Sequence, residues 1–227
     1  MPAFARGSGL LSGATASVYD ALAAAYDEDE RRMAWSRPVD LGLLFSFAKM
    51  VTERQGSGVV GDLGCGPGHT TKILAELGLR MTGIDASSAM IARARANLPG
   101  ATLAVGTLLH LPALDASWAG AVALGALWHA AAAERRTTLA EVARVIQPGG
   151  TFLYSFVTSG PRQPADSVYF LERWLGVEVN LELHLLSVKA AATEVVSAGF
   201  EVIAATQREP LPHELPLRRG FLLARRR

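Results

Sequence analysis

The chain has 227 residues, half of them hydrophobic, with 22 Lys plus Arg against 21 Asp plus Glu. That length suits one α/β domain with additions and a sizeable core, and a net charge of +1 gives no field for gathering nucleic acid or an anionic membrane surface. The single cysteine, Cys65, excludes an internal disulfide and points to the cytoplasm. From the N-terminus, residues 1–15 are small and polar without periodicity and read as a mobile terminus. No stretch there has the basic start and apolar middle of a signal peptide. Residues 17–26 read as a short helix with Val18, Tyr19, Leu22 and Tyr26 sharing a face, and the acidic residues 27–30 as a solvated turn. Pro38 suits the first turn of the next helix, along which Leu41, Leu44, Phe45, Ala48 and Val51 recur.

Residues 59–71, Val-Val-Gly-Asp-Leu-Gly-Cys-Gly-Pro-Gly-His-Thr-Thr, organise the rest. An apolar strand runs into glycines that bring bare backbone against a ligand, and 70–77 then opens a helix. A second strand at 80–84 ends in Asp85, about 20 residues beyond the glycines, where a carboxylate can accept hydrogen bonds from both hydroxyls of a ribose. A dinucleotide fingerprint requires a third glycine where this chain has His69. Residues 85–96 read as a helix with Ser87 and Ser88 as caps and Met90, Ile91 and Ala94 inside. A third strand at 101–105 leads into Gly106-Thr107-Leu108.

The uncharged run 116–133 is broken by Gly120, Gly125 and His129, so it reads as a buried strand, 117–125, running into a helix and not as a membrane span. Trp128 and His129 fall at the carboxyl end of that strand, where open α/β sheets bind ligands. His129 reads either as a packed residue or as one that orients a substrate or takes a proton from it, and His110 is a lesser candidate. Residues 134–146 are strongly helical, with Gln147-Pro148-Gly149-Gly150 as the stop before a strand at 151–157. Residues 167–175 suggest a short helix carrying Tyr169, Phe170 and Trp174, aromatics that suit packing or a pocket wall. His184 follows. A helix at 187–198, strands at 200–207 and 220–224 joined by a turn at 209–216, and a solvated tail at 225–227 complete the chain.

The series Asp62-Leu63-Gly64-Cys65-Gly66-Pro67-Gly68 followed by Asp85 resembles motif I and the second-strand acid of the class I S-adenosylmethionine-dependent methyltransferases. The match spans nearly the whole chain, and the phrase from Leu139 through Ile146-Gln147-Pro148-Gly149-Gly150-Thr151 is its second most specific part. The resemblance implies a Rossmann-like α/β fold: a doubly wound seven-stranded sheet, mostly parallel, with an antiparallel C-terminal hairpin strand. It implies one domain over 16–227, in which 16–56 is a lid and packing segment and 159–186 a variable substrate-side insertion.

The same resemblance implies S-adenosyl-L-methionine as cofactor and a small-molecule methyl acceptor. Asp62, Gly64, Cys65, Gly66 and Gly68 would hold the methionine part, Asp85 and Ala86 the ribose, and Met90, Gly106, Thr107 and Leu108 the adenine. Thr107 stands where the family usually has Asp, which weakens the contact with the adenine amino group. Tyr19 and Tyr26, in a Tyr-Asp-x-x-Ala-x-x-Tyr pattern, would lid the site, and Trp128, His129, Tyr169 and Trp174 would face the acceptor. Methyl transfer from a sulfonium requires alignment more than covalent machinery, consistent with a sequence lacking metal-ligand spacing or a nucleophile elbow. A nicotinamide-dependent oxidoreductase and a non-catalytic S-adenosylmethionine binder are the competing readings.

Overall fold

In a computed structural model describing residues 13–55 and 58–227, the apolar runs become a central sheet. Its strands are β1 (Val59–Leu63), β2 (Arg80–Asp85), β3 (Thr102–Val105), β4 (Trp118–Ala123), β5 (Ile146–Val157), β8 (Phe200–Arg208) and β9 (Arg219–Arg226). The order is β3-β2-β1-β4-β5-β9-β8, with every neighbouring pair parallel except those made by β9. β4 is buried at all six positions, as expected of a parallel strand covered on both faces. The order reverses between β1 and β4, and such switch points open a crevice at the carboxyl ends of the strands.

Helices cover both faces: α1 (Gly13–Met33), α2 (Pro38–Gln55), α3 (His69–Glu76), α4 (Ser88–Asn97), α5 (Ala132–Val145) and α6 (Val188–Ser197). Leu44, Phe47 and Val51 of α2 pack with Ile73 and Leu74 of α3 against Val60, Val122 and Leu153. Leu139 and Val142 of α5 and Val195 of α6 pack with Phe152, Tyr154, Phe156 and Phe200 in a second cluster. Burying these side chains contributes roughly 1.5–3 kcal/mol each.

The remaining strands, β6 (Val168–Trp174) and β7 (Val177–His184), form a separate antiparallel hairpin. This corrects the helix expected at 167–175. Leu175 and Gly176 both have positive φ, 48° and 81°, and two such residues form the tight turn whose twist matches paired strands. The register shifts between Leu171 and Arg173, and this irregularity reverses the alternation of faces along the strand, so Phe170 and Trp174, spaced four residues apart as on one side of a helix, take opposite faces. Phe170 faces outward while Tyr169, Leu171 and Trp174 join a satellite core with Leu22 and Leu181.

Other boundaries differ too. The mobility expected of residues 1–15 lies outside the described residues as far as residue 12, and Gly13, Ala14 and Thr15 belong to α1. The turn expected at 27–30 is instead helix, because buried Asp27 has partners across the interface. Asp85 closes β2, and α4 begins only after Ser87, whose hydroxyl accepts the N–H of Met90. Gln147 to Gly150 lie within β5, since Ile146 already pairs with Trp118. Arg225 and Arg226 lie in β9, where Arg226 donates to the carbonyls of Ala143 and Gly199.

Candidate active site

The glycine turn after β1 is left-handed three times, with φ of 67° at Gly64, 52° at Gly66 and 88° at Gly68. Only glycine adopts such angles without a Cβ penalty, and at Gly64 a Cβ would lie 2.6 Å from that of Ala126. The turn is fastened to the end of β2: Gly64 and Cys65 donate their N–H groups to the carbonyl of Ile84 at 2.8 and 3.1 Å. Asp85 takes the N–H of Gly66 at 2.9 Å on one carboxylate oxygen and that of Ser87 at 2.8 Å on the other. Burial raises the Asp85 pKa, against the lowering effect of those N–H groups.

Two cavities flank this turn. The smaller, about 70 Å³, is lined by Asp85, Ala86, Ser87, Met90 and Leu108 and closed by Thr15, Ala16 and Tyr19 of α1. The larger, about 400 Å³, runs past Asp62 and Cys65 to Trp128, Trp174 and the start of β9. Tyr19, Tyr26, Gly64, Gly66, Leu124 and Gly125 line both, so the cavities meet at the glycine turn beneath the two tyrosines. Tyr19, Tyr26 and Trp174 make mutual edge-to-face contacts with centroids 5.4–6.2 Å apart.

Asp62 is buried and accepts the Thr71 hydroxyl at 2.5 Å. Burial, assisted by the charge of Asp85, pushes its carboxyl up to about 7, against the Thr71 hydrogen bonds. Cys65 contributes to the cavity wall, but it packs with Ile91, Ala94 and Leu103, and burial raises its thiol so far that it stays protonated.

His129 is 4% exposed. Its Nδ1 lies 2.8 Å from the carbonyl of Glu182 and must carry the proton, since a carbonyl only accepts. Nε2 is then the acceptor for the Tyr19 hydroxyl at 2.7 Å. Burial pushes His129 down to about 4 and raises the Tyr19 phenol well above its ordinary range, so both are neutral near pH 7.

The other expected site residues fall elsewhere. Gly106 and Thr107 line neither cavity; Thr107 is exposed, and its hydroxyl accepts the N–H of Leu109 at 3.2 Å. Tyr169 is in the satellite core, His110 is exposed beside Glu141, and His184 lines neither cavity, although its N–H holds the Trp128 carbonyl at 2.7 Å.

Sequence reading missed Asp20, Asp27 and Arg219. Asp20 accepts from the Ser87 hydroxyl and the Ala89 N–H, at 2.6 and 2.9 Å. Asp27 accepts from Asn97 at 2.8 Å and pairs with His69 at 2.9 Å. Their seven-residue separation on one helix face was a usable signal. Arg219 had none, because its burial depends on how the chain returns after β8.

Residues 60–150 match a family model described as a methyltransferase domain. A protein named as a probable S-adenosylmethionine-dependent methyltransferase, from Mycolicibacterium smegmatis, is 33% identical over 144 residues, covering 62% of this chain and 51% of the relative. An O-methyltransferase of Penicillium expansum is 29% identical over 189 residues, covering 80% of this chain and 65% of that protein. The chain thus spans about half to two thirds of the length of these curated relatives. In fold, it is similar to the 1,6-didemethyltoxoflavin-N1-methyltransferase of Burkholderia thailandensis, with a TM-score of 0.67 at 19% identity over 100% of this chain and 92% of that one.

Proposed function

We propose, from the methyltransferase-domain match over residues 60–150 and the likeness to S-adenosylmethionine-dependent methyltransferases, that this chain is a class I enzyme transferring the methyl group of S-adenosyl-L-methionine to a small-molecule acceptor. The observation that carries this reading is the meeting of two cavities at one glycine turn under Tyr19 and Tyr26. The smaller holds the features a nucleoside needs, a carboxylate at Asp85 and apolar walls at Met90 and Leu108. The larger extends beyond any one cofactor tail and supplies room for an acceptor.

The residues fit the cofactor chemically. Asp85 would hold the ribose hydroxyls, and Asp62, in the larger cavity, would face the ammonium of the methionine part. The bound cofactor supplies a methyl group already activated by its sulfonium. The chain's own residues orient the acceptor and exclude water, which is the task of the aromatic walls formed by Tyr19, Tyr26 and Trp174. For a hydroxyl acceptor, Tyr19 Oη receives the departing proton as its own passes to His129 Nε2. The Glu182 carbonyl on Nδ1 steadies the imidazolium that results. A base depressed to about 4 suffices, because an oxygen being alkylated becomes a strong acid as the new bond forms.

Calorimetry of the purified protein with S-adenosylmethionine and, separately, NAD tests the reading, followed by a metabolite screen for S-adenosylhomocysteine release. Binding of S-adenosylmethionine alone with turnover of an acceptor is the expected result. NAD binding in its place would favour an oxidoreductase, and cofactor binding without any acceptor would favour a binder.

A further inference from the structure

The larger cavity is lined by three arginines, Arg37, Arg208 and Arg219. Two have carboxylate partners. Arg37 makes a two-pronged pair with Glu30 at 2.8 Å for each bond, and Arg208 does the same with both Asp40 and Glu214 at 2.6–3.0 Å. Arg219 differs. It is 7% exposed, yet among the described residues no carboxylate lies within 4.0 Å of it. Its guanidinium lies over the Trp128 ring, 4.5 Å from the centroid, and donates one hydrogen bond, from Nη1 to the Leu217 carbonyl at 3.0 Å.

A buried charge is normally paired, because desolvation without a partner costs several kcal/mol. The Trp128 ring offsets only part of that. Burial lowers Arg219 to about 10; Glu214 and Asp40 favour its charge from a distance, and Arg208 and Arg37 oppose it. The guanidinium therefore has no directly paired anion among the described residues, and the cavity it lines is where one would enter.

We propose, building on the methyl-transfer reading, that Arg219 receives a carboxylate of the acceptor, making the substrate class small, flat carboxylic acids. The planar fork of a guanidinium matches a carboxylate with two parallel hydrogen bonds. Trp128, Trp174, Tyr19 and Phe221 supply flat apolar walls for the body of such a molecule. A doubly charged phosphate suits the cavity less, since Asp29, Glu30, Asp40 and Glu214 also line it. Arg219 stands at the start of β9, three strand positions from β1, which is roughly 14 Å at the usual strand spacing. That separation assigns it to the acceptor and away from the glycine turn.

The test uses the full-length protein saturated with S-adenosylhomocysteine and titrated calorimetrically with matched acids and amides: benzoate against benzamide, and 4-hydroxybenzoate against 4-hydroxybenzamide. The unmodified protein is expected to bind each acid at least tenfold more tightly than its amide. In Arg219→Gln that preference falls to within twofold while affinity for S-adenosylhomocysteine changes less than twofold, and Arg219→Lys is intermediate. Equal binding of acid and amide by the unmodified protein overturns the proposal without requiring any variant. An Arg219→Gln protein that loses S-adenosylhomocysteine and acid together also overturns it, by assigning the arginine to the cofactor. If the unmodified protein fails to bind S-adenosylhomocysteine at all, the methyl-transfer reading falls first and this one with it.

Discussion

Asp62 and His129 are both buried titratable groups, and they respond to pH in opposite directions. The Asp62 carboxyl, lifted to about 7 by burial, is protonated in the empty folded protein at pH values where the unfolded chain has already lost that proton. The folded state then binds more protons, so this group's contribution to stability falls as pH rises from about 4 to about 7. His129, depressed to about 4, is neutral when folded while the unfolded chain takes up a proton below about 6.5, so its contribution rises with pH over the interval up to about 6.5. A cationic cofactor ammonium beside Asp62 would keep it ionised. S-adenosylmethionine affinity should therefore increase by up to tenfold per unit between about pH 5 and 7 and level off above. Asp85 is pushed upward as well, so the informative quantity is the difference between the two proteins: in Asp62→Asn the slope should shrink markedly, and an unchanged slope in calorimetry would remove Asp62 from the ammonium. Tyr19→Phe keeps the aromatic wall and deletes the proton path to His129. It should lower kcat by about 100-fold, the scale of general base catalysis, with cofactor Kd within threefold; an unchanged kcat would make the pair structural.

At the scale of elements, α1 is attached to α4 at both ends. Asp20 binds the hydroxyl of the Ser87 cap and the first turn of α4, while Asp27 holds Asn97 at its last turn and His69 at the start of α3. Burial alone would raise Asp27, but hydrogen bonds from Asn97 and His69, with the charge of Arg31, keep it below its usual value. The smaller cavity, about 70 Å³, is well under the roughly 300 Å³ at which ligand pockets usually begin. On the proposed cofactor assignment a nucleoside would enter only if the first turns of α1 move, and the two aspartates would set how readily they do. In Asp20→Ala and Asp27→Ala, amide hydrogen exchange across α1 should accelerate at least tenfold while β1, β4 and β5 stay protected; uniform acceleration would mean that α1 is integral to the core. The helix itself was legible from Val18, Tyr19 and Leu22, but its length was not. Acidic residues 27–30 look solvated until the partners of Asp27, 42 and 70 positions away, are brought to it. The hairpin at 168–184 was illegible for the same kind of reason: the four-residue spacing of Phe170 and Trp174 suits a helix, and only cross-strand pairing with its register shift shows that the two lie on opposite faces of a strand.

For the whole molecule, the glycine corner was readable because local chemistry sets it, through three positive-φ glycines and a strand-ending acid, whereas the seven-stranded sheet was expected only from the family resemblance that this corner carries. The larger cavity was legible only in part: Tyr26, Trp128 and Trp174 line it as the resemblance implied, but Arg219 does so through α1, the turn after β4, β6 and the start of β9 coming together by tertiary packing alone. This division predicts how ligands act on global stability. A ligand spanning Asp85, the glycine turn and Tyr19 ties α1 to β1, β2 and the turn after β4, and it stabilises the folded state according to its concentration over its Kd. S-adenosylhomocysteine at 100 times its Kd contributes about 2.7 kcal/mol. For a domain of this size that corresponds to a rise in Tm of about 5–10 °C. NAD at the same concentration should leave Tm unchanged, since His69 opens α3 where a dinucleotide site needs glycine. Differential scanning calorimetry should also show a smaller rise in Asp85→Ala, which removes the Gly66 and Ser87 hydrogen bonds together with the proposed ribose contact. Equal shifts in the two proteins would mean that the ligand binds away from the carboxyl ends of β1 and β2.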